Sequence, residues 1–207
     1  MLHKIQYISQ GETVDAQKKN ILNALEAGCR MVQVRFKNGT KEELIEVAQQ
    51  ARKWCTQASA TLIINDSVDL ALKVDADGVH LGLDDMSIRE ARDWLGHSKI
   101  IGGTANTLED VLKRINEKCD YVGLGPLRYT STKEKLSPIL GFEGYRRIEK
   151  ELEMKQVSMP IYAIGGVVGS DVELLMKSGV YGIAVSGLIT NATNRASLVR
   201  QINEKLN

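Results

Sequence analysis

Polar, charged and glycine residues recur at one kind of place in this chain, at or just past the end of a short apolar, β-rich run. After the second such run comes Gln33-Val34-Arg35-Phe36-Lys37. Side chains alternate between faces in an extended segment, so Gln33, Arg35 and Lys37 share one side. Arg35 suits a bidentate phosphate contact and Lys37 a point-charge contact, together an anion clamp, although the same residues also suit a solvated strand end. Asn65-Asp66 follows the third run and Gly82-Leu83-Asp84-Asp85 the fourth. Carboxylates at two neighbouring strand ends, with an amide nearby, suit a hard oxygen-preferring cation such as Mg2+. Taken singly, Asp66 or Asp85 suits a helix cap or a turn better. His80, within the apolar Val79-His80-Leu81, reads as a hydrogen-bonded structural histidine rather than a general base.

Further along, Gly123-Leu124-Gly125-Pro126 leads into Thr130-Ser131-Thr132-Lys133. A hydroxyl-rich loop with a lysine can close over a phosphate-bearing ligand, or simply cover surface. Ala163-Ile164-Gly165-Gly166-Val167 follows the seventh run and Val185-Ser186-Gly187 the eighth. Glycines there let backbone N–H groups approach an anion, and the loops after strands seven and eight form the recurring phosphate site of α/β barrels.

The elements that must carry these residues alternate. Strands are expected at 5–9, 31–36, 61–64, 78–81, 99–102, 121–124, 161–164 and 182–185. Helices are expected at 14–27, 41–58, 68–74, 87–95, 108–117, 142–153, 171–178 and 196–206. Thr40 and Ser87 suit N-caps, and Gly28 and Gly179 suit helix ends. Alternation of this kind predicts a parallel sheet of βα units, and eight of them predict a closed (β/α)8 TIM barrel, an α/β fold. An open doubly wound sheet competes, but no GxGxxG follows the first run, which weakens its dinucleotide-binding form. With 207 residues, three prolines and no Ser/Gly/Pro-rich linker, a single domain over 1–207 is expected.

Composition narrows the partners. Lys and Arg total 27 against 26 Asp and Glu, so no basic field draws the chain to nucleic acid or to an anionic membrane. Aromatic residues make up 5%, too few for a base-stacking platform. No run approaches the roughly 20 apolar residues of a membrane span, and the first ten residues lack the apolar core of a signal peptide. Cys29, Cys55 and Cys119 are an odd number without metal-ligand spacing, which fits reduced thiols in a cytoplasmic protein. Small-molecule substrates are the expected partners.

In order along almost the whole chain, Gln33-Val34-Arg35-Phe36-Lys37, Asn65-Asp66, Asp77-Gly78-Val79-His80-Leu81-Gly82 leading to Asp85, Gly123-Leu124-Gly125-Pro126, Thr130-Ser131-Thr132-Lys133 and Ile164-Gly165-Gly166-Val167 resemble the thiamine-phosphate synthase family. The resemblance implies coupling of a hydroxymethylpyrimidine diphosphate with a hydroxyethylthiazole phosphate, giving thiamine phosphate and pyrophosphate. It implies Mg2+ as cofactor, with Asp66 and Asp85 as its ligands. By the same carry-over Gln33, Val34, Arg35, Phe36, Lys37, Asn65, Thr104 and Lys133 bind the pyrimidine diphosphate, Arg35, Lys37 and Lys133 acting in catalysis. Thr130, Ser131, Thr132, Gly166, Val185 and Ser186 hold the thiazole phosphate. The family's reaction is dissociative, so the site needs charge stabilisation and alignment rather than a strong nucleophile.

Leu83 stands where the family commonly has Gln, Tyr129 where it has Pro, Thr104 where Ser is frequent and Gly187 where Ala is common. A thiazole tautomerase branch shares the fold and the thiazole-phosphate site but generally lacks the diphosphate and metal residues, all present here. A non-catalytic sensor of thiazole phosphate, and a Schiff-base aldolase using Lys37 or Lys133, are the other readings. Self-association into a homo-oligomer is expected from similar barrels.

Overall fold

Strands buried on both faces need apolar residues at consecutive positions, and Met31-Val32, Leu62-Ile63-Ile64 and Ile183-Ala184-Val185 supply them. In the computed structural model, which describes residues 1–129 and 138–206, these runs become parallel strands of a closed barrel. The strands are β1 (Ile5–Ile8), β2 (Met31–Val34), β3 (Thr61–Asn65), β4 (Gly78–Leu81), β5 (Ile100–Ala105), β6 (Tyr121–Leu124), β7 (Ile161–Ile164) and β8 (Gly182–Val185). They pair in chain order, and β8 returns to β1 with Ile5 opposite Ile183. The expected (β/α)8 barrel is therefore the fold observed.

The helices α1 (Val14–Glu26), α2 (Lys41–Gln57), α3 (Val68–Lys73), α4 (Ile88–Leu95), α5 (Leu108–Asn116) and α6 (Gly141–Met154) follow the first six strands. After β7 come a 3-10 turn at Gly169–Asp171 and α7 (Val172–Met176); after β8 come α8 (Gly187–Thr190) and α9 (Arg195–Leu206). Hydroxyl caps start several of them. Thr13, Thr40, Ser67, Ser87 and Thr107 each accept the N–H three residues on, and Glu43, Glu90 and Asp110 reach back to complete capping boxes. Each such cap stabilises its helix by about 1 kcal/mol.

Alternation along the strands divides the core in two. Met31, Ile63, Tyr121, Tyr162 and Ala184 pack together inside the barrel, while their neighbours in sequence pack outward against the helices. At the foot of the barrel one device appears twice. Asp77 Oδ2 accepts the Leu62 N–H at 2.6 Å and an Arg52 N–H at 2.8 Å; Asp120 Oδ2 accepts the Ile101 N–H at 2.7 Å and an Arg92 N–H at 2.6 Å. Each aspartate joins a strand start to the helix next to it, far from the opposite mouth where barrel enzymes hold their substrates.

Most element ends fall within a residue of expectation, and the larger departures are few. β2 ends at Val34 rather than at 36. β5 runs on to Ala105 rather than stopping at 102, because Gly102 and Gly103 lower β-propensity without interrupting the strand. They are glycines for space: a Cβ on Gly102 would lie 2.1 Å from Tyr121 Cζ, and one on Gly103 would lie 2.8 Å from Arg114 Nε. The helix expected over 171–178 divides into the 3-10 turn and a short α7, and α8 was not anticipated.

Candidate functional site

At the mouth, β2 directs Gln33 inward, where it is 2% exposed, and the chain then carries Arg35 and Lys37 past the strand end. Arg35 is anchored by its backbone. Its N–H donates to Ser9 Oγ at 2.9 Å, and its carbonyl accepts from Gln17 Nε2 at 3.1 Å. Burial pulls the Arg35 guanidinium below its usual pKa, opposed by the charge of Asp66. Lys37 is exposed. Val34 and Phe36 have the opposite parity and pack into the helix-side core, so only their backbone can face a ligand at the mouth.

Asn65 ends β3, and Asp66 follows in left-handed backbone at φ 63°, a region that costs most residues about 1–2 kcal/mol and Asp somewhat less. The turn is held by the Asp66 N–H donating to His80 O at 2.8 Å and the Ser67 N–H to Asn65 O at 2.8 Å. Beyond β4, Asp85 Oδ2 accepts the Gly82 N–H at 2.6 Å. The two carboxyls are close enough to interact directly. Burial pushes Asp66 up to about 6, helped by a hydrogen bond and the negative charge of Asp85 and opposed by Lys37 and Arg35. The Asp66 and Asp85 carboxyls, beside an arginine and a lysine, are oxygen donors of the kind that could hold a divalent cation. Among the described residues no group of three or more His, Cys, Asp or Glu gathers that could hold a metal ion by itself.

Beneath these groups lies a buried polar chain. Gln6 Nε2 donates to the Tyr121 hydroxyl at 2.9 Å, the hydroxyl meets His80 Nδ1 at 3.0 Å, and His80 Nε2 meets Thr104 Oγ1 at 3.1 Å. His80 is 6% exposed and is enclosed by this network. Thr104 reaches the site only because β5 is longer than its sequence suggests. Arg114, 3% exposed, then ties two strand ends together: Nε donates to Thr104 O at 3.1 Å, one terminal nitrogen to Gly82 O at 2.8 Å, and the other to Glu117 at 3.0 Å.

On the far side of the mouth, Gly165 and Gly166 both adopt left-handed backbone, at φ 87° and 70°, which a side chain would strain. Ser186 Oγ donates to Gln10 Oε1 at 2.9 Å, joining the ends of β8 and β1. Val185 is the last residue of β8 and packs on the helix side. Thr130, Ser131, Thr132 and Lys133 lie outside the described residues.

The structure thus brings Gln33, Arg35, Lys37, Asn65, Asp66, Asp85 and Thr104 to one half of the mouth, and Gly166, Val185 and Ser186 to the other. Sequence reasoning missed Gln10, Arg114, Arg128 and Asp171. Gln10 sits just past β1 and follows the same strand-end rule as the others. A single arginine in the amphipathic helix α5 carries no mark of an inward role.

The family model described as thiamine monophosphate synthase matches residues 6–189. A thiamine-phosphate synthase of Flavobacterium psychrophilum is 54% identical over 206 residues, covering 100% of both chains. One of Flavobacterium johnsoniae is 50% identical over 100% of this chain and 97% of its own. Among solved structures, a thiamine phosphate pyrophosphorylase from Pyrococcus furiosus superposes with a TM-score of 0.84 at 31% identity, over 99% of this chain and 97% of that one.

Proposed function

The chain belongs to the thiamine monophosphate synthase family and is a transferase, and from that premise we propose that it joins hydroxymethylpyrimidine diphosphate to hydroxyethylthiazole phosphate by a dissociative, Mg2+-assisted alkyl transfer. The observation that carries this reading is the meeting of Asp66 and Asp85 with Arg35 and Lys37 at adjoining strand ends, opposite a glycine turn suited to a second phosphate.

Asp66 and Asp85 would hold Mg2+, which when bound supplies positive charge to the departing diphosphate oxygens. Arg35 and Lys37 add fixed cationic charge on the same oxygens, and Arg35 does so from a half-buried position where water screens it less. Lys133 completes this set in the proposal. The carbon–oxygen bond breaks with its electron pair going to pyrophosphate, leaving a pyrimidine-stabilised benzylic-type cation. The thiazole nitrogen then donates its lone pair to that carbon. Gln33, Asn65 and Thr104 orient the pyrimidine half, Thr104 being itself held by His80. Gly166, Val185 and Ser186, with Thr130, Ser131 and Thr132, take the thiazole phosphate. No step needs a nucleophilic side chain or a general base of raised reactivity.

We place the reaction in the cytoplasm, where the buried, unpaired Cys29, Cys55 and Cys119 would stay reduced. Self-association into a homo-oligomer is part of the same proposal and is read by light scattering. The deciding experiment measures thiamine phosphate formed from the two purified precursors, with Mg2+ and with chelator, for wild type and Asp66→Ala. Metal-dependent product that the substitution abolishes supports the proposal. Folded wild type that binds the thiazole phosphate but yields no product would refute it and favour the tautomerase or sensor alternative.

A further inference from the structure

The glycine turn after β7 is held by a side chain from the loop after β6. The Arg128 guanidinium forks onto Asp171, with N···O distances of 2.5 and 2.9 Å, and the nitrogen making the shorter contact also donates to Gly166 O at 2.6 Å. The Arg128 backbone N–H donates to Gly165 O at 3.1 Å, and the Leu127 N–H donates to Ile164 O at 2.9 Å. Asp171 Oδ2 also accepts the Val168 N–H at 2.8 Å. Burial alone would raise the Asp171 carboxyl, but hydrogen bonds from Arg128 and Val168, with the Arg128 charge, outweigh it and hold the group below the usual carboxylate range. Asp171 is 5% exposed, and Gly166 lies so close to Arg128 that a Cβ there would stand 2.4 Å from Arg128 Cγ.

The consequence follows from peptide geometry. In a trans peptide the carbonyl of one residue and the N–H of the next point in opposite directions. The carbonyls of Ile164, Gly165 and Gly166 are all drawn toward the β6 loop. The N–H of Gly165 therefore faces Ala184, which lies opposite Ile164 in the pairing of β7 with β8, while the N–H groups of Gly166 and Val167, beyond the strand end, turn away from the β6 loop. Two consecutive amides beyond the strand end make an anion-binding concavity, and left-handed backbone at both glycines permits it.

We propose that Arg128 and Asp171 are positioning residues that set the Gly166 and Val167 amides for the thiazole phosphate, without touching it. The proposal rests on the functional reading above. It assigns roles to Arg128, in the loop after β6, and to Asp171, in the 3-10 turn after β7.

The test is steady-state kinetics with each substrate varied separately, for wild type, Arg128→Ala and Asp171→Asn, beside thermal melting of each protein. Arg128→Ala is expected to raise KM for the thiazole phosphate about tenfold, with kcat and the pyrimidine diphosphate KM within about twofold. Asp171→Asn keeps an acceptor for the Val168 N–H while losing the charged fork, so a smaller rise in the same KM is expected; it also decides the matter if Arg128→Ala does not fold. Unchanged kinetics, or both KM values and kcat moving together with a falling melting temperature, would overturn the proposal. If wild type is folded but makes no product, the functional reading fails, and calorimetric titration with thiazole phosphate decides the clamp separately. Binding about tenfold weaker in the Arg128 variant supports it; equal binding, or none by wild type, overturns it.

Discussion

Replacing Asp66 by Asn should make the metal-free protein more stable while removing its activity. Asn tolerates the left-handed backbone at φ 63° as well as Asp does, so the substitution isolates the charge. The Asp66 carboxyl rises from 3.8 to about 6 on folding, through burial first and then Asp85. Because the folded-state value is raised, its contribution to stability is greatest below 3.8 and is lost as pH climbs to about 6; at pH 7.5, chosen as roughly neutral assay conditions, the ionised group is a net cost. A shift of roughly two units corresponds to a ceiling of about 3 kcal/mol, and solvent access to this half-buried group reduces that to about 1 kcal/mol. For a chain of this length about 1 kcal/mol moves the melting temperature by roughly 2–4 °C. The assay is thermal unfolding in chelator and in Mg2+. Wild type should gain about 1.4 kcal/mol from Mg2+ at ten times its Kd, and Asp66→Asn much less. Thiamine-phosphate formation should fall by about 100-fold or more. A variant less stable than wild type in chelator, or one that gains as much from Mg2+, would refute the argument that the carboxyl pair exists to hold a cation.

Two further substitutions test the scaffold. Glu149 on α6 is pushed up to about 7 by burial, and its Oε1 has no hydrogen-bond partner among the described residues; the folded state thus favours the protonated acid, and stability should decline as pH rises from 4.5 toward 7. Glu149→Gln should flatten that decline and add about 1 kcal/mol near pH 8, read as melting temperature against pH. Arg114→Leu leaves Glu117 and the Gly82 and Thr104 carbonyls without their shared donor, so a loss of about 3 kcal/mol is expected from urea unfolding at unchanged m-value.

The barrel was legible in the sequence because its determinants are local. Apolar runs spaced by amphipathic stretches, and hydroxyl caps such as Thr40 and Ser87 with their partner glutamates, act within a few residues of one another. The strand-end rule then located Gln33, Arg35, Lys37, Asn65, Asp66 and Asp85 without knowledge of which strands are neighbours. β5 was cut short for the opposite reason. Ending the strand at Gly102 leaves out Gly103, Thr104 and Ala105; the two glycines belong in the strand because Tyr121, from the next strand, and Arg114, from α5, fill the space their side chains would need.

Chain closure alone decided the rest. Periodicity placed Gln33 and Arg35 on one side of β2, but which side was inside followed only when Met31 joined Ile63 and Tyr162 in the barrel interior, turning Val34 and Phe36 to the helices. The sequence supplied two carboxylates as candidates for a cation. The influence of Asp85 on Asp66 exists only because β3 and β4 are hydrogen-bonded neighbours. Arg128 and Asp171 are 43 residues apart and announce nothing singly, since a side-chain pair that spans two loops has no local signature. Local chemistry wrote the elements and the ends where function gathers; the spatial order of the strands determined which charges meet.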